Sequence, residues 1–479
     1  MSEHDRNEDE RLEPGDQGGS KGKPKRKKRK QPLPAGATLS RPVVAIVGRP
    51  NIGKSTLFNR LAGARIAIVE DVPGVTRDRH YADATLAGRE VVLVDTGGFD
   101  PESDDPMKEG IAQHVKLALE EADVVVCVLD ATTGATTADR AAIDLLRRSD
   151  KPVVYAANKA DSKAIAMAGM ELYELGLPHL VPISALHGAG MSELEDAVID
   201  ALPEEGTGAS QVWDESIPRV AIVGRPNAGK SSLVNRLIGE DRQLVDSRPG
   251  TTIDAIDALY ERGESKWVLI DTAGMRRKRG IDKGVEGLAV MKAIRAIERS
   301  HVVILLVDAA EGVAEQDAKL AGLVVDRGRA LVVGLNKSDL MSEAEKKKAL
   351  TRAREVLAFA PWARFVMVSA KTGRAVSKLV DAANAALAEH RRRVTTAELN
   401  RFFEEVLEHH PPPTQKGKSV RLYYVTQAET RPPRFVVMTN EPDAIHFSYE
   451  RYVANALRER FGFEGTPIRL SWKRKSRRD

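Results

Sequence analysis

Lys54 and Lys230, Thr76 and Thr252, and Asp95 and Asp271 are pairs of like residues, each pair separated by 176 positions. Such a spacing describes two copies of one fold, with no net insertion in the first half of either. Later pairs drift, to 178 between Asn158 and Asn336 and to 185 between Ser184 and Ser369, because surface loops absorb changes in length. Within each copy, short β-branched runs alternate with longer amphipathic segments, the pattern of a mostly parallel sheet covered by helices on both faces. Strands are expected at 43–47, 91–94, 124–129, 153–157 and 180–183, and again at 219–223, 267–270, 302–307, 331–335 and 365–368. The fold class is α/β: two doubly wound domains in tandem, at 41–202 and 219–393, followed by a small α+β domain at 394–472.

The remaining segments separate by composition. Residues 1–40 hold few large apolar side chains and cannot offset the entropy of ordering, so they read as a disordered tail. Seven acids fall within 1–16, and eight Lys or Arg within 21–30. That basic block serves either as a solubilising tag or as a nonspecific attraction for RNA. The stretch 203–218 has four acids, no Lys or Arg and a proline at each end, which marks an acidic linker; 473–479 is a basic tail. One cysteine, Cys127, excludes an intramolecular disulfide, and no apolar run approaches the ~20 residues needed to cross a bilayer. A cytoplasmic chain is expected.

The run Gly48-Arg49-Pro50-Asn51-Ile52-Gly53-Lys54-Ser55-Thr56 follows an expected strand and opens an expected helix, as does Gly224-Arg225-Pro226-Asn227-Ala228-Gly229-Lys230-Ser231-Ser232. Both fit the phosphate-cradling loop in its required context. Glycines let backbone N–H groups converge on phosphate oxygens. Lys54 and Lys230 reach the β- and γ-phosphates, and the Ser55 and Ser231 hydroxyls suit Mg²⁺. Asp95-Thr96-Gly97-Gly98 and Asp271-Thr272-Ala273-Gly274 place a carboxylate at the sheet's carboxyl edge for the same ion, and a free N–H at Gly98 or Gly274 for the γ-phosphate. Thr76 and Thr252 lie 22 positions after their lysines in Gly/Pro-rich segments. Each can complete the metal shell only when a γ-phosphate is present, which defines a switch.

Base choice is expected from Asn158-Lys159-Ala160-Asp161 and Asn336-Lys337-Ser338-Asp339. A buried carboxylate at Asp161 or Asp339 accepts from the N1–H and exocyclic amine of guanine, and adenine lacks that pair of donors. The turns beginning Ser184-Ala185 and Ser369-Ala370 offer backbone N–H groups to the guanine oxygen. GTP and GDP are therefore the expected substrate and product.

These motifs resemble those of translation-factor-related GTPases, and the tandem arrangement over about 41–475 resembles the Der (EngA) family of bacterial ribosome-assembly GTPases. The resemblance implies two P-loop GTPase domains around a KH-like domain, and nucleotide-dependent association with the large ribosomal subunit and its rRNA. A monomer is expected. Phe99 and Met275 stand after the D-x-x-G motifs, where small GTPases often carry a water-positioning glutamine. The resemblance implies K⁺ as the activating charge instead, with Asn51 and Asn227 helping to hold it; the alternative is that each asparagine merely shapes its loop. Gly462-Phe463-Glu464-Gly465 has the letters of the KH phosphate clamp, but its bulk and negative charge read as a helix stop. RNA contact is then left to basic surfaces, at 276–279 and at the C-terminal tail. The rival reading is a nucleotide-regulated RNA-binding scaffold in which hydrolysis is incidental.

Overall fold

The structure is a computed structural model that describes residues 41–63, 81–96, 115–116, 118–119, 121–203, 216–240, 257–263, 265–272, 286–412 and 420–475. Thr76, Gly97, Gly98, Phe99, Thr252, Ala273, Gly274, Met275, the basic run 276–279 and the tail 1–40 lie outside them, as do most of the linker and residues 476–479.

Two six-stranded sheets carry the repeat. The first comprises β1 (Val43–Val47), β2 (Tyr81–Leu86), β3 (Arg89–Asp95), β4 (Val124–Asp130), β5 (Val153–Asn158) and β6 (Leu180–Pro182), in spatial order β2-β3-β1-β4-β5-β6. The second comprises β7 (Arg219–Val223), β8 (Ala258–Arg262), β9 (Ser265–Ile270), β10 (Val302–Asp308), β11 (Ala330–Asn336) and β12 (Arg364–Met367), in the same order β8-β9-β7-β10-β11-β12. Strands β1, β4, β10 and β11 are buried along their whole length, as expected for parallel strands covered on both faces. On one face of the first sheet, Val44 and Ile46 join Leu57, Phe58 and Leu61 of helix α1 (Lys54–Ala62). Each such side chain contributes about 1.5–3 kcal/mol by leaving water. On the other face Val43, Ala45 and Val47 meet Val115, Ala118, Ile143 and Leu146. Cys127 lies in that core, where burial pushes its thiol up to about 12.

Strands β2 and β8 run antiparallel at the sheet edges and were not expected from the sequence. Their half-polar sequences carry little apolar signal. Ala87 and Gly88, at φ 41° and 89°, make the two-residue left-handed turn that suits a tight hairpin between β2 and β3.

Helix α2 (Thr137–Arg147) begins at a reciprocal cap: the Thr136 hydroxyl donates to Asp139 at 2.6 Å and accepts from the Asp139 N–H at 3.3 Å. Thr136→Ala is expected to cost about 1 kcal/mol, read as a lower urea midpoint at unchanged slope. An unchanged midpoint would show that the cap contributes nothing.

The third sheet holds β13 (Leu422–Thr430), β14 (Pro433–Thr439) and β15 (Arg469–Arg474), with β14 antiparallel to β13 and parallel to β15. Phe402, Phe403, Tyr449 and Leu457 pack around Phe435 in its core. The turn at 462–465 ends the preceding helix, as the sequence indicated, and also docks onto the second domain. Phe463, fully buried, stacks edge-on against Phe435 with centroids 5.7 Å apart and donates its N–H to Glu389. The Gly465 N–H donates to the Trp362 carbonyl at 2.7 Å, and its carbonyl accepts from the Leu331 N–H at 2.8 Å. Glu464 pairs with Arg364 at 2.9 Å. A loop with both backbone and side chains so engaged has no clamp to offer RNA.

First and second domains meet through charged side chains. Arg327 pairs with Asp83 of β2 and with Glu298, and Arg295 reaches Asp123 and the Glu121 carbonyl. No described helix is long and apolar enough to cross a membrane.

Candidate functional site

The loop after β1 is built by close approach. Gly48 has φ 146°, and a Cβ there would stand 2.5 Å from the Val128 carbonyl oxygen; at Gly53, φ 90°, it would stand 2.4 Å from Asn158 Nδ2. Gly224 and Gly229 are in the same positions against Leu306 and Asn336. Asn51 and Asn227 are left-handed, at φ 64° and 63°, with exposed side chains. Between them these residues turn the chain back over the start of the helix, the arrangement that aims N–H groups at an anion.

Lys54 is buried and donates to the Arg49 carbonyl at 2.7 Å; Lys230 donates to the Gly224 and Arg225 carbonyls, both at 2.7 Å. Burial holds both ammonium groups below the usual lysine range, Lys230 at about 8, with Asp95 opposing the shift at Lys54 and Asp317 at Lys230. Anionic phosphates would favour the charged form, so nucleotide binding takes up a proton once the pH exceeds about 8. Affinity at the second site should then fall by up to about tenfold between about pH 8 and pH 9. A fluorescent GDP titration on Lys54→Ala protein, whose first site is disabled, measures it; a flat profile would mean that Lys230 does not bear on the phosphates.

The Ser55 hydroxyl donates to Asp95 Oδ2 at 2.7 Å. Hydroxyl and carboxylate oxygens converging beside a phosphate loop are hard donors, a set that fits Mg²⁺ with water completing the shell. In the second copy Asp271 adopts a left-handed backbone, φ 59°, and its N–H donates to Asp257, itself paired with Arg299. The two sites are thus not superposable at this carboxylate. Thr96 is fully buried and its hydroxyl donates to the Ile46 carbonyl at 2.8 Å, so its side chain fixes β3 against β1.

Asn158 and Asn336 prove to be internal clasps. Asn158 Nδ2 donates to the Ile52 carbonyl at 2.7 Å and its Oδ1 accepts from the Ala185 N–H at 2.9 Å; Asn336 joins the Ala228 carbonyl and the Ala370 N–H at the same distances. The phosphate loop and the base-side turn are therefore tied by one side chain. From the other side Arg60 donates to the carbonyls of Ala185 and Leu186, and Arg236 to those of Ala370 and Lys371. The N–H groups of Ala185 and Ala370, expected to meet the guanine oxygen, are already occupied by these asparagines.

Asp161 and Asp339 are exposed, where buried acids were expected. Ser184 donates to Asp161 at 2.6 Å, fixing one carboxylate oxygen, and the Ser369 hydroxyl holds Asp339 below the usual carboxylate range. In this geometry each carboxylate is oriented by its serine and not by burial. Lys159 and Lys337 are left-handed, at φ 68° and 63°, and are anchored by Asp130 and Asp308. Burial alone would raise Asp130, but bonds from Lys159 and Thr132 outweigh it and lower the carboxyl.

Arg49 and Arg225 turn away from the loop. Arg49 Nε meets Asp139 at 2.9 Å and Arg225 Nε meets Asp317 at 2.8 Å, bracing each loop against the start of a neighbouring helix. Asp130, Asp308, Asp139, Asp317, Arg60 and Arg236 escaped the sequence reading. Their recurrence at matching places in both copies was the signal available.

A family model described as 50S ribosome-binding GTPase matches residues 43–159 and again 219–337, and one described as the KH-domain-like C-terminal domain of EngA bacterial GTPase enzymes matches 393–473. "GTPase Der" of Moorella thermoacetica is 47% identical over 438 residues, covering 91% of this chain and 99% of that protein. The chain belongs to the Der GTPase family. "GTPase Der" of Thermomicrobium roseum is also 47% identical, over 91% of this chain and 96% of its own length. Among solved structures, a variant of Aquifex aeolicus Era bound to GDP·AlF4⁻ is 23% identical with a TM-score of 0.29, covering 59% of this chain and 98% of that one. As a Der GTPase, this chain binds GTP and hydrolyses it to GDP and phosphate, and it joins two P-loop GTPase domains to a KH-like domain.

Proposed function

We propose that the two nucleotide switches of this GTPase control its association with the large ribosomal subunit during assembly of that subunit. The observation that carries this reading is the completeness of both phosphate loops in one chain whose two GTPase segments match a 50S ribosome-binding family. In this reading Lys54 and Lys230 stabilise charge on the transferring phosphoryl group, and Gly98 and Gly274 supply backbone N–H groups to it. Ser55 with Asp95, and Ser231 with Asp271, hold Mg²⁺, joined by Thr76 and Thr252 when triphosphate is present. The ion neutralises charge on the β- and γ-oxygens. Asp161 and Asp339 select guanine. Asn51 and Asn227, exposed at the loop crest, hold K⁺ where a glutamine would otherwise act. The protein works in the cytoplasm, as a monomer, and hydrolysis resets binding.

Co-sedimentation with separated subunits in K⁺ buffer, with GDP or a non-hydrolysable GTP analogue over a range of salt, is the test. Analogue-dependent binding to the large subunit is expected. Binding that ignores nucleotide and vanishes with modest salt would reduce the association to tail electrostatics. Phosphate release should also be faster in K⁺ than in Na⁺ and rise with subunits present; equal rates in all four conditions would leave hydrolysis incidental to RNA binding.

A further inference from the structure

At the amino edge of the second sheet, far along the strands from the phosphate loop, basic groups gather in excess of the acids described near them. Arg219, His301 and Arg329 stand at one register level across the neighbouring strand starts of β7, β10 and β11. The Arg219 N–H donates to His301 Nδ1 at 3.0 Å, and the His301 N–H returns to the Arg219 carbonyl at 2.8 Å. His390 and Arg391 end helix α3 (Val376–Arg391), and His390 Nδ1 lies 2.7 Å from the Thr466 hydroxyl of the KH-like domain. The Arg431-Pro432 turn of that domain packs on Gly328, where a Cβ would stand 2.8 Å from the Pro432 ring. That contact brings the Arg431 charge to bear on both His301 and His390.

Among the described residues, three side-chain nitrogens here make no hydrogen bond: His390 Nε2, Arg329 Nε and Arg391 Nε are all buried. His390 itself is wholly buried. Glu298 is an acid at hand: it pairs with Arg327 and Arg329, although neither of its buried carboxylate oxygens makes a hydrogen bond. Burial, together with the charges of Arg329, Arg391 and Arg431, keeps the His390 imidazole neutral. Buried polar nitrogens without a partner are costly, and in native proteins they mark an ion or water that completes them; the two guanidinium nitrogens donate, and His390 Nε2 donates as well in the tautomer whose Nδ1 accepts from Thr466. Arg329, Arg391 and Arg431, from three different elements, all bring their charge to bear on His390, and guanidinium groups suit a phosphate, which takes paired N–H bonds from each.

We propose that this joint between the second GTPase domain and the KH-like domain is a phosphate-binding site, with Arg329 and His390 as its floor and Arg391 and Arg431 as its rim. The occupant is a phosphate group, either free in solution or a phosphodiester of single-stranded RNA. The site is independent of the ribosomal reading above and stands or falls separately from it.

The test uses the full chain saturated with GDP, so that both nucleotide sites are filled. Inorganic tripolyphosphate should raise the melting temperature beyond an equal ionic strength of chloride, and Arg391→Gln/Arg431→Gln should abolish the difference. In a second arm, a labelled single-stranded RNA should bind the double variant roughly tenfold more weakly, with a salt slope smaller by about 1.4, which is two lost contacts. Loss in the first arm alone assigns the site to free phosphate; loss in the second assigns it to RNA. Should the double variant fail to fold, histidine ¹⁵N spectra of the wild type on adding tripolyphosphate give the same answer, since His390 must shift. No effect of the substitutions in either arm, or an unmoved His390 resonance, overturns the proposal.

Discussion

Asp161→Asn should turn the first domain from a site for guanine into one for xanthine. The carboxylate accepts from two ring donors of guanine; an asparagine offers one acceptor and one amine, and that amine would face the amine of guanine. Xanthine carries a carbonyl there, so the pair is restored. Ser184, which now orients one carboxylate oxygen at 2.6 Å, can bond the carboxamide oxygen equally well, and the loop needs no rearrangement. GTP affinity at this site should fall by roughly 100-fold or more while XTP gains, because polar groups placed to read a base reject a mismatch strongly. Asp339→Asn is expected to do the same in the second domain, so each substitution isolates one site for measurement. Competition of GTP and XTP against a fluorescent guanine nucleotide decides the matter. Unchanged GTP affinity in both variants would show that the base is read elsewhere.

The larger structural effect is expected from Asn158→Ala. Its carboxamide satisfies the Ile52 carbonyl and the Ala185 N–H, and the residue is only 3% exposed. Removing it leaves two buried backbone groups without partners, a loss of about 3–5 kcal/mol. It also frees the phosphate loop from the base-side turn, so nucleotide affinity should fall with stability even though, in this geometry, Asn158 works through the loops. Urea denaturation of the GDP-free protein, paired with GDP titration, separates the two. A variant as stable as the parent would mean that Arg60 alone is sufficient to hold the turn. Asn336→Ala provides the matched test in the second domain.

Much of this architecture could be read from spacing, and the reasons differ by residue. Lys54, Ser55 and Asp95 belong to short contiguous patterns whose chemistry demands those residue types, so letters and spacing sufficed. The parallel core strands declared themselves by unbroken β-branched runs. Strands β2 and β8 did not, because an edge strand with one solvated face needs few apolar residues, and Ala87-Gly88 is a weak turn signal beside the usual Asn-Gly. The Arg49–Asp139 brace joins residues 90 positions apart, and no local pattern announces a partner so distant. Asp161 shows the converse failure: the residue was found, but its exposure was not, since one strand-end motif is compatible with either environment. Phe463 looked like bulk in the wrong place for an RNA clamp, and it is a core residue held in a left-handed turn, φ 66°, between two glycines.

The two backbone bonds of Gly465 also set an order in time. The first GTPase domain finds every strand of its sheet within one uninterrupted stretch and can be finished as soon as that stretch has been synthesised. The second cannot, because Leu331 waits for a carbonyl that arrives 134 residues later. Until then the start of β11 and the turn before β12 that Gly465 covers must be kept from other chains, and a nascent polypeptide paused in between carries one completed GTPase domain followed by one still open along that margin.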